Sequence, residues 1–205
     1  MSILRTVVAI AMSGMMVDGS QAATFVRIVH SNHTMLALNG DITLGDAEQF
    51  QDIVMAPDGG HPITAIVLNS PGGNLVASVA LAKLVRERNF ITIVGPGATC
   101  ASACFLVFAA GHVKYADYTS FLGVHSVADK GGLQTTDSRT ATFAFARIIE
   151  ALGTPAQVVD KLLATPPQQI VQLTASDLRG MGVIMTGNKA RKTDPPRRAP
   201  PALLY

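Results

Sequence analysis

Three short stretches of this 205-residue chain hold side chains that could do chemistry together. In ITIVGPGATCASACFLVFAAG, residues 91–111, an apolar strand passes a Gly-Pro-Gly turn and an apolar helix begins near Ser102. A hydroxyl at a helix start has two uses. As an N-cap it satisfies a free N–H and contributes about 1 kcal/mol. As a nucleophile it lies at the positive end of the helix dipole, with the next amide, that of Ala103, available to stabilise an oxyanion. In KYADYTSFLGVHS, residues 114–126, an apolar strand ends in His125. A neutral imidazole is the general base that a serine hydroxyl requires.

The third stretch, AIVLNSPGGNLVAS at residues 65–78, is an apolar strand, then Asn69, Ser70, Pro71, Gly72 and Gly73, then a helix. Consecutive glycines let the backbone turn sharply and let amide groups face a ligand; a plain strand-to-helix turn is the alternative. The loop lacks the spacings of a P-loop or a dinucleotide fingerprint, so phosphate binding is not indicated. Cys100 and Cys104 flank Ser102. Were the helix to reach back to Cys100, their α-carbons would lie about 6 Å apart, within disulfide range. In an oxidising compartment a disulfide is favoured over two free thiols. No CxxC pair, HExxH or nearby histidine completes a zinc site, so neither a metal nor a cofactor is expected.

The elements that must position these groups alternate β-rich runs with helical stretches, which is the pattern of an α/β domain. Strands are expected at Phe25–Val29, Met35–Asn39, Ala65–Leu68, Ile91–Val94, Lys114–Ala116 and Phe121–Val124. Helices fit Gly45–Met55, Leu75–Arg88, Ala103–Ala110, Ser138–Leu152, Pro155–Leu163 and Ala175–Gly180. A strand, loop, helix rhythm recurs about three times, without an exact sequence repeat.

SPGG before a helix, then a small-residue serine turn opening an apolar helix that ends AAG, then a basic-aromatic strand leading to Val-His, resembles the Clp-protease-like branch of the ClpP/crotonase superfamily. It looks most like small exported members whose serine is flanked by cysteines. The resemblance runs from about Met35 to Val183. It implies a single-domain α/β fold of repeated strand-strand-helix units, with Ser102 as nucleophile and His125 as general base. The backbone amides of Gly73 and Ala103 would form the oxyanion hole. The family's acid falls a few residues before a segment matched by LTASDLRGMGV, residues 173–183, and the corresponding PPQQIVQ has no carboxylate. Gln168 or Gln169 would have to fix the imidazole tautomer instead, or Asp177 or Asp160 reach it from elsewhere. A neutral amide stabilises the imidazolium weakly, so activity could fall by several orders of magnitude.

The two ends differ from the body. Residues 1–22 carry Arg5, an apolar run from Thr6 to Val17, and small residues at Ser20 and Ala22. That is the order of a secretory signal peptide cut after Ala22, with Ala23 as a near alternative. A run of about 12 apolar residues is short of the roughly 20 that a membrane span needs. The hydrolase-like domain is then 23–185, and 186–205 reads as a flexible Pro-rich tail with five basic residues against Asp194. The chain is 48% hydrophobic and 15% charged, enough to build a core, and its formal net charge of +2 is too small a field for nucleic-acid binding.

The leading expectation is therefore a periplasmic or secreted serine hydrolase that attacks a peptide or related acyl bond through an acyl-enzyme. Export implies no ATP, hence no unfolding ATPase as partner and short or unfolded peptides as substrates. The alternative is a catalytically weak or inactive relative that binds peptides or envelope proteins. A crotonase-type activity on acyl-CoA fits the exported location poorly. The resemblance also implies a homo-oligomer.

Overall fold

Each short strand that carries a candidate residue leads into a helix, and the sequence repeats that unit along the chain. The computed structural model describes residues 22–30, 33–56, 62–129 and 131–188. Residues 1–21 of the expected signal peptide and 189–205 of the expected tail lie outside these residues. The chain begins with an antiparallel hairpin, β1 (Thr24–His30) and β2 (His33–Asn39), followed by α1 (Asp46–Met55). Next come β3 (Ile63–Asn69), α2 (Leu75–Glu87), β4 (Ile91–Val94), β5 (Thr99–Ala101) and α3 (Ala103–Ala109). The remainder is β6 (Lys114–Asp117), β7 (Phe121–Val124), α4 (Thr136–Ala151), α5 (Ala156–Ala164), β8 (Val171–Gln172), α6 (Ala175–Gly180) and β9 (Ile184–Thr186).

A six-stranded sheet runs β1-β2-β3-β4-β6-β9, parallel beyond the first hairpin, and a smaller sheet runs β5-β7-β8. Chain segments cross from the large sheet to the small one before α3 and α4. β4 is followed by β5 and α3, and β6 by β7 and α4. The two earlier units do the same with single bridges in place of a second strand: Ile42 pairs Gly73 ahead of α1, and Ser70 pairs Cys100 ahead of α2. The strand-strand-helix unit thus occurs four times, one more than the sequence rhythm suggests.

The core explains why α3 lies at the centre. All seven of its residues are buried, and a helix apolar on every side is stable only where it is surrounded. Phe105 and Phe108 on α3, Phe50 on α1 and Phe145 on α4 are among the largest fully buried side chains. Thr92 donates from its hydroxyl to the Phe108 carbonyl at 2.8 Å, tying β4 to the helix. Among the described residues, no helix is long and apolar enough to cross a membrane.

All six expected strands and six expected helices are present, with ends that move by at most two residues. Three strands went unread: β5, β8 and β9 are two or three residues long and have no alternation to detect. Two of them flank β7 and therefore decide what surrounds His125.

Candidate active site

Ser102 joins β5 to α3 with φ 52 and ψ −127, a left-handed conformation that a side chain adopts at a cost of about 1–3 kcal/mol. It occupies the N-cap position, yet its hydroxyl makes no capping hydrogen bond. Contrast Asn74, which accepts from the Ala77 amide at 3.0 Å at the start of α2. The backbone around Ser102 is pinned on both sides. Its N–H donates to Gly123 O at 3.0 Å, and its carbonyl accepts from the Phe105 N–H at 3.0 Å. A disulfide between Cys100 and Cys104 spans the turn, with α-carbons 5.2 Å apart and both cysteines fully buried. Of the two readings of this hydroxyl, the cap is excluded by geometry.

The glycine loop packs directly on that turn. A β-carbon on Gly72 would stand 3.0 Å from the Ala103 nitrogen, and Gly72 has φ 116. Ser70, fully buried, locks the loop: its hydroxyl accepts from the Gly72 N–H at 3.1 Å. Its own N–H donates to Thr99 O at 2.7 Å, and its carbonyl accepts from Ala101 N–H at 3.2 Å. Gly73, at φ 127, runs so close to Ile42 that a β-carbon would lie 2.3 Å from the Ile42 carbonyl oxygen. The Ile42 amide and carbonyl are taken by Gly72 O and Asn74 N, both at 2.7 Å. Among the described residues the N–H groups of Gly73 and Ala103 have no acceptor. Unpaired backbone donors beside a hydroxyl are what an oxyanion-binding site needs.

His125 follows β7, which runs parallel to β5 with Ala101 opposite Gly123. Carried on, that register sets Ser102 beside Val124, with His125 one residue beyond, on chains about 4.8 Å apart. The strand end is held by the Ser126 N–H donating to Thr165 O and the Val127 N–H to the Thr142 hydroxyl, both at 2.9 Å. The structure brings the two residues to neighbouring strand ends but forms no hydrogen bond between them. Burial holds the imidazole below its ordinary pKa, with a smaller opposing pull from the Ser126 backbone, so it is neutral near pH 7. Its Nδ1 is buried and has no hydrogen-bond partner.

The other edge of β7 is covered by β8. β8 pairs antiparallel, with Gly123 opposite Gln172 and Val124 opposite Val171, so one step further sets Ile170 opposite His125. The Ile170 side chain reaches so near Gly123 that a β-carbon there would meet its Cγ2 at 2.5 Å. None of the four groups considered for this place joins His125. Asp177 is the N3 residue of α6, where it accepts from the Thr174 N–H and hydroxyl at 2.7 Å and from Lys161 Nζ at 2.5 Å. Gln168 donates to Gly132 O at 2.8 Å, and the side chains of Gln169 and Asp160 are exposed. Ile170 is the residue that sequence reasoning passed over, although the absence of any carboxylate in PPQQIVQ was its signal.

No protein-family model and no curated protein matches the chain. Solved structures do. ClpP1 from Listeria monocytogenes superposes with a TM-score of 0.56 at 15% identity, covering 75% of this chain and 92% of that one. The chain has the ClpP/crotonase fold. A variant of the 1510-N membrane-bound stomatin-specific protease gives a TM-score of 0.55 at 20% identity, over 73% of this chain and 77% of that one. An enoyl-CoA hydratase/isomerase from Marinobacter aquaeolei gives 0.51 at 12% identity, over 80% and 71%. The ClpP/crotonase fold therefore spans proteases and an acyl-CoA enzyme, and fold alone does not choose between them. Among the described residues, no three His, Cys, Asp or Glu side chains gather as a metal-binding group.

Proposed function

We propose that this chain is an exported serine hydrolase that cleaves a peptide or related acyl bond through an acyl-enzyme, without an ATPase partner. One observation carries the reading: an uncapped serine hydroxyl sits on a left-handed turn beside two unpaired amides. In acylation, Ser102 Oγ attacks the carbonyl carbon as its proton passes to His125 Nε2. The Gly73 and Ala103 N–H groups receive the developing oxyanion. The leaving group departs with a proton from the imidazolium, and water, deprotonated by His125, then releases the acid and restores Ser102.

The joined Cys100 and Cys104 support an oxidising location, consistent with residues 1–22 as a cleaved signal peptide ahead of a 23–185 domain. A structure of the 1510-N protease holds a substrate peptide, which favours a peptide or unfolded chain as substrate. Self-association into an oligomer is part of this reading and rests on the resemblance to the ClpP/crotonase superfamily.

A fluorophosphonate probe tests the hydrolytic claim: it should label the wild-type protein and not Ser102→Ala. Ile170 opposite His125 favours a second reading, a weak or inactive protein that binds peptides in the same cleft. Under that reading Ser102→Ala retains peptide binding and the wild type takes up no probe.

A further inference from the structure

His125 follows a strand flanked on both edges, by the strand that leads to Ser102 and by the one that Ile170 precedes, and the second neighbour bears on substrate choice. Nδ1 is buried without a partner, and the β7–β8 register, carried one residue on, sets Ile170 across from His125. The charged side chains on the adjoining segments are occupied or exposed. Lys161 pairs with Asp177, and the Asp129 carboxylate takes the Gly131 and Leu133 amides. Asp137, Arg139, Arg147 and Glu150 on α4 and Asp160 on α5 are exposed.

Resting on the hydrolase reading, we infer that Ile170 is a positioning residue that slows Ser102 on peptide amides far more than on acyl groups with weakly basic leaving groups, esters of phenols or thiols. The reason is in the proton ledger of acylation. An amide nitrogen leaves only after it receives a proton, so the full imidazolium must form on His125 and persist until the C–N bond breaks. With isoleucine across from His125 that cation has no counter-charge, and only the Ser126 backbone favours it, more weakly than burial opposes it. A phenoxide or thiolate leaves as the anion. The Oγ–C bond forms, the C–O or C–S bond breaks, and the proton taken from Ser102 passes from Nε2 to solvent without having to reach the leaving atom. Deacylation is then common to both substrates: water adds, its proton goes to His125, and the C–Oγ bond breaks as Ser102 regains a proton.

The test uses the mature protein with one N-blocked amino acid offered as its p-nitrophenyl ester and as its p-nitroanilide. Wild type should hydrolyse the ester in a Ser102-dependent way. Ile170→Asp should raise kcat on the anilide by on the order of tenfold more than on the ester and move the acid limb of the pH profile upward. Ile170→Ala, which opens space without an acceptor, should do neither. A folded Ile170→Asp protein with an unchanged ester-to-anilide ratio overturns the proposal. Should that variant fail to fold, proton NMR of the wild type decides: a strongly downfield, exchange-protected Hδ1 on His125 would mean that Nδ1 already has an acceptor, and its absence supports the proposal. Failure of the hydrolase reading has a separate signature, since Ser102 would then take up no fluorophosphonate at all.

Discussion

A β-carbon added to Gly72 would stand 2.7 Å from the Ser102 β-carbon and 2.8 Å from the Ala101 carbonyl oxygen, so glycine loop and serine turn meet with no space between them. Gly72→Ala must therefore push the two apart, and at φ 116 the alanine is strained as well. We expect a loss of about 1–3 kcal/mol in urea unfolding and a fall in fluorophosphonate labelling on the order of tenfold or more. Labelling at the wild-type rate in Gly72→Ala would show that the loop does not shape the site.

The disulfide closes a loop of only a few residues, for which the chain-entropy estimate is about 2 kcal/mol. Replacing both Cys100 and Cys104 with Ala should lower Tm by roughly 4–8 °C for a domain of this size. The sharper expectation concerns Ser102. Without the crosslink its left-handed backbone can relax, so the labelling rate should fall even at temperatures where circular dichroism reports a folded protein.

The pH response follows from His125. Its pKa is lowered by burial, so the base form persists to lower pH than for a free imidazole and the acid limb of kcat/KM should lie below about 6.5. The same shift predicts stability. Above about 6.5 the imidazole is neutral folded or unfolded and adds no pH dependence. As pH falls from there toward the folded-state value, the unfolded chain binds the proton first and stability declines. His125→Gln should flatten this part of the curve in urea titrations at successive pH values.

Asp177 serves structure. Burial opposes its charge, but hydrogen bonds from Lys161 and Thr174 outweigh that and hold the carboxyl below its usual range. The stability it provides is present above about 3.9 and is lost as pH falls through the lower folded-state value. Asp177→Asn should cost roughly 1–2 kcal/mol at pH 7 through the α6 cap and the Lys161 pair. Its labelling rate should stay at the wild-type level. A large drop in labelling with little loss of stability would make Asp177 the missing catalytic acid.

Ile91–Val94 and Phe121–Val124 were legible to the residue because β-branched and aromatic runs end at turn residues. Ala103–Ala109 was legible as an unbroken apolar helix, and the serine before it as a candidate for two roles. The choice between those roles was not, since the sequence carries no trace of φ at Ser102 or of a hydroxyl left uncapped. The surroundings of His125 were hidden for a different reason. They depend on β8, two residues whose pairing with β7 is set by distant packing, and only that pairing singles out Ile170 among the residues of PPQQIVQ.

The central claim is that Ser102 is an activated nucleophile, and mass spectrometry of the protein after exposure to a fluorophosphonate probe tests it most directly. One adduct per chain is expected, located on the peptide containing Ser102, abolished in Ser102→Ala and weakened in His125→Ala. An unmodified wild-type protein, or an adduct that persists at the same level in Ser102→Ala, would contradict it.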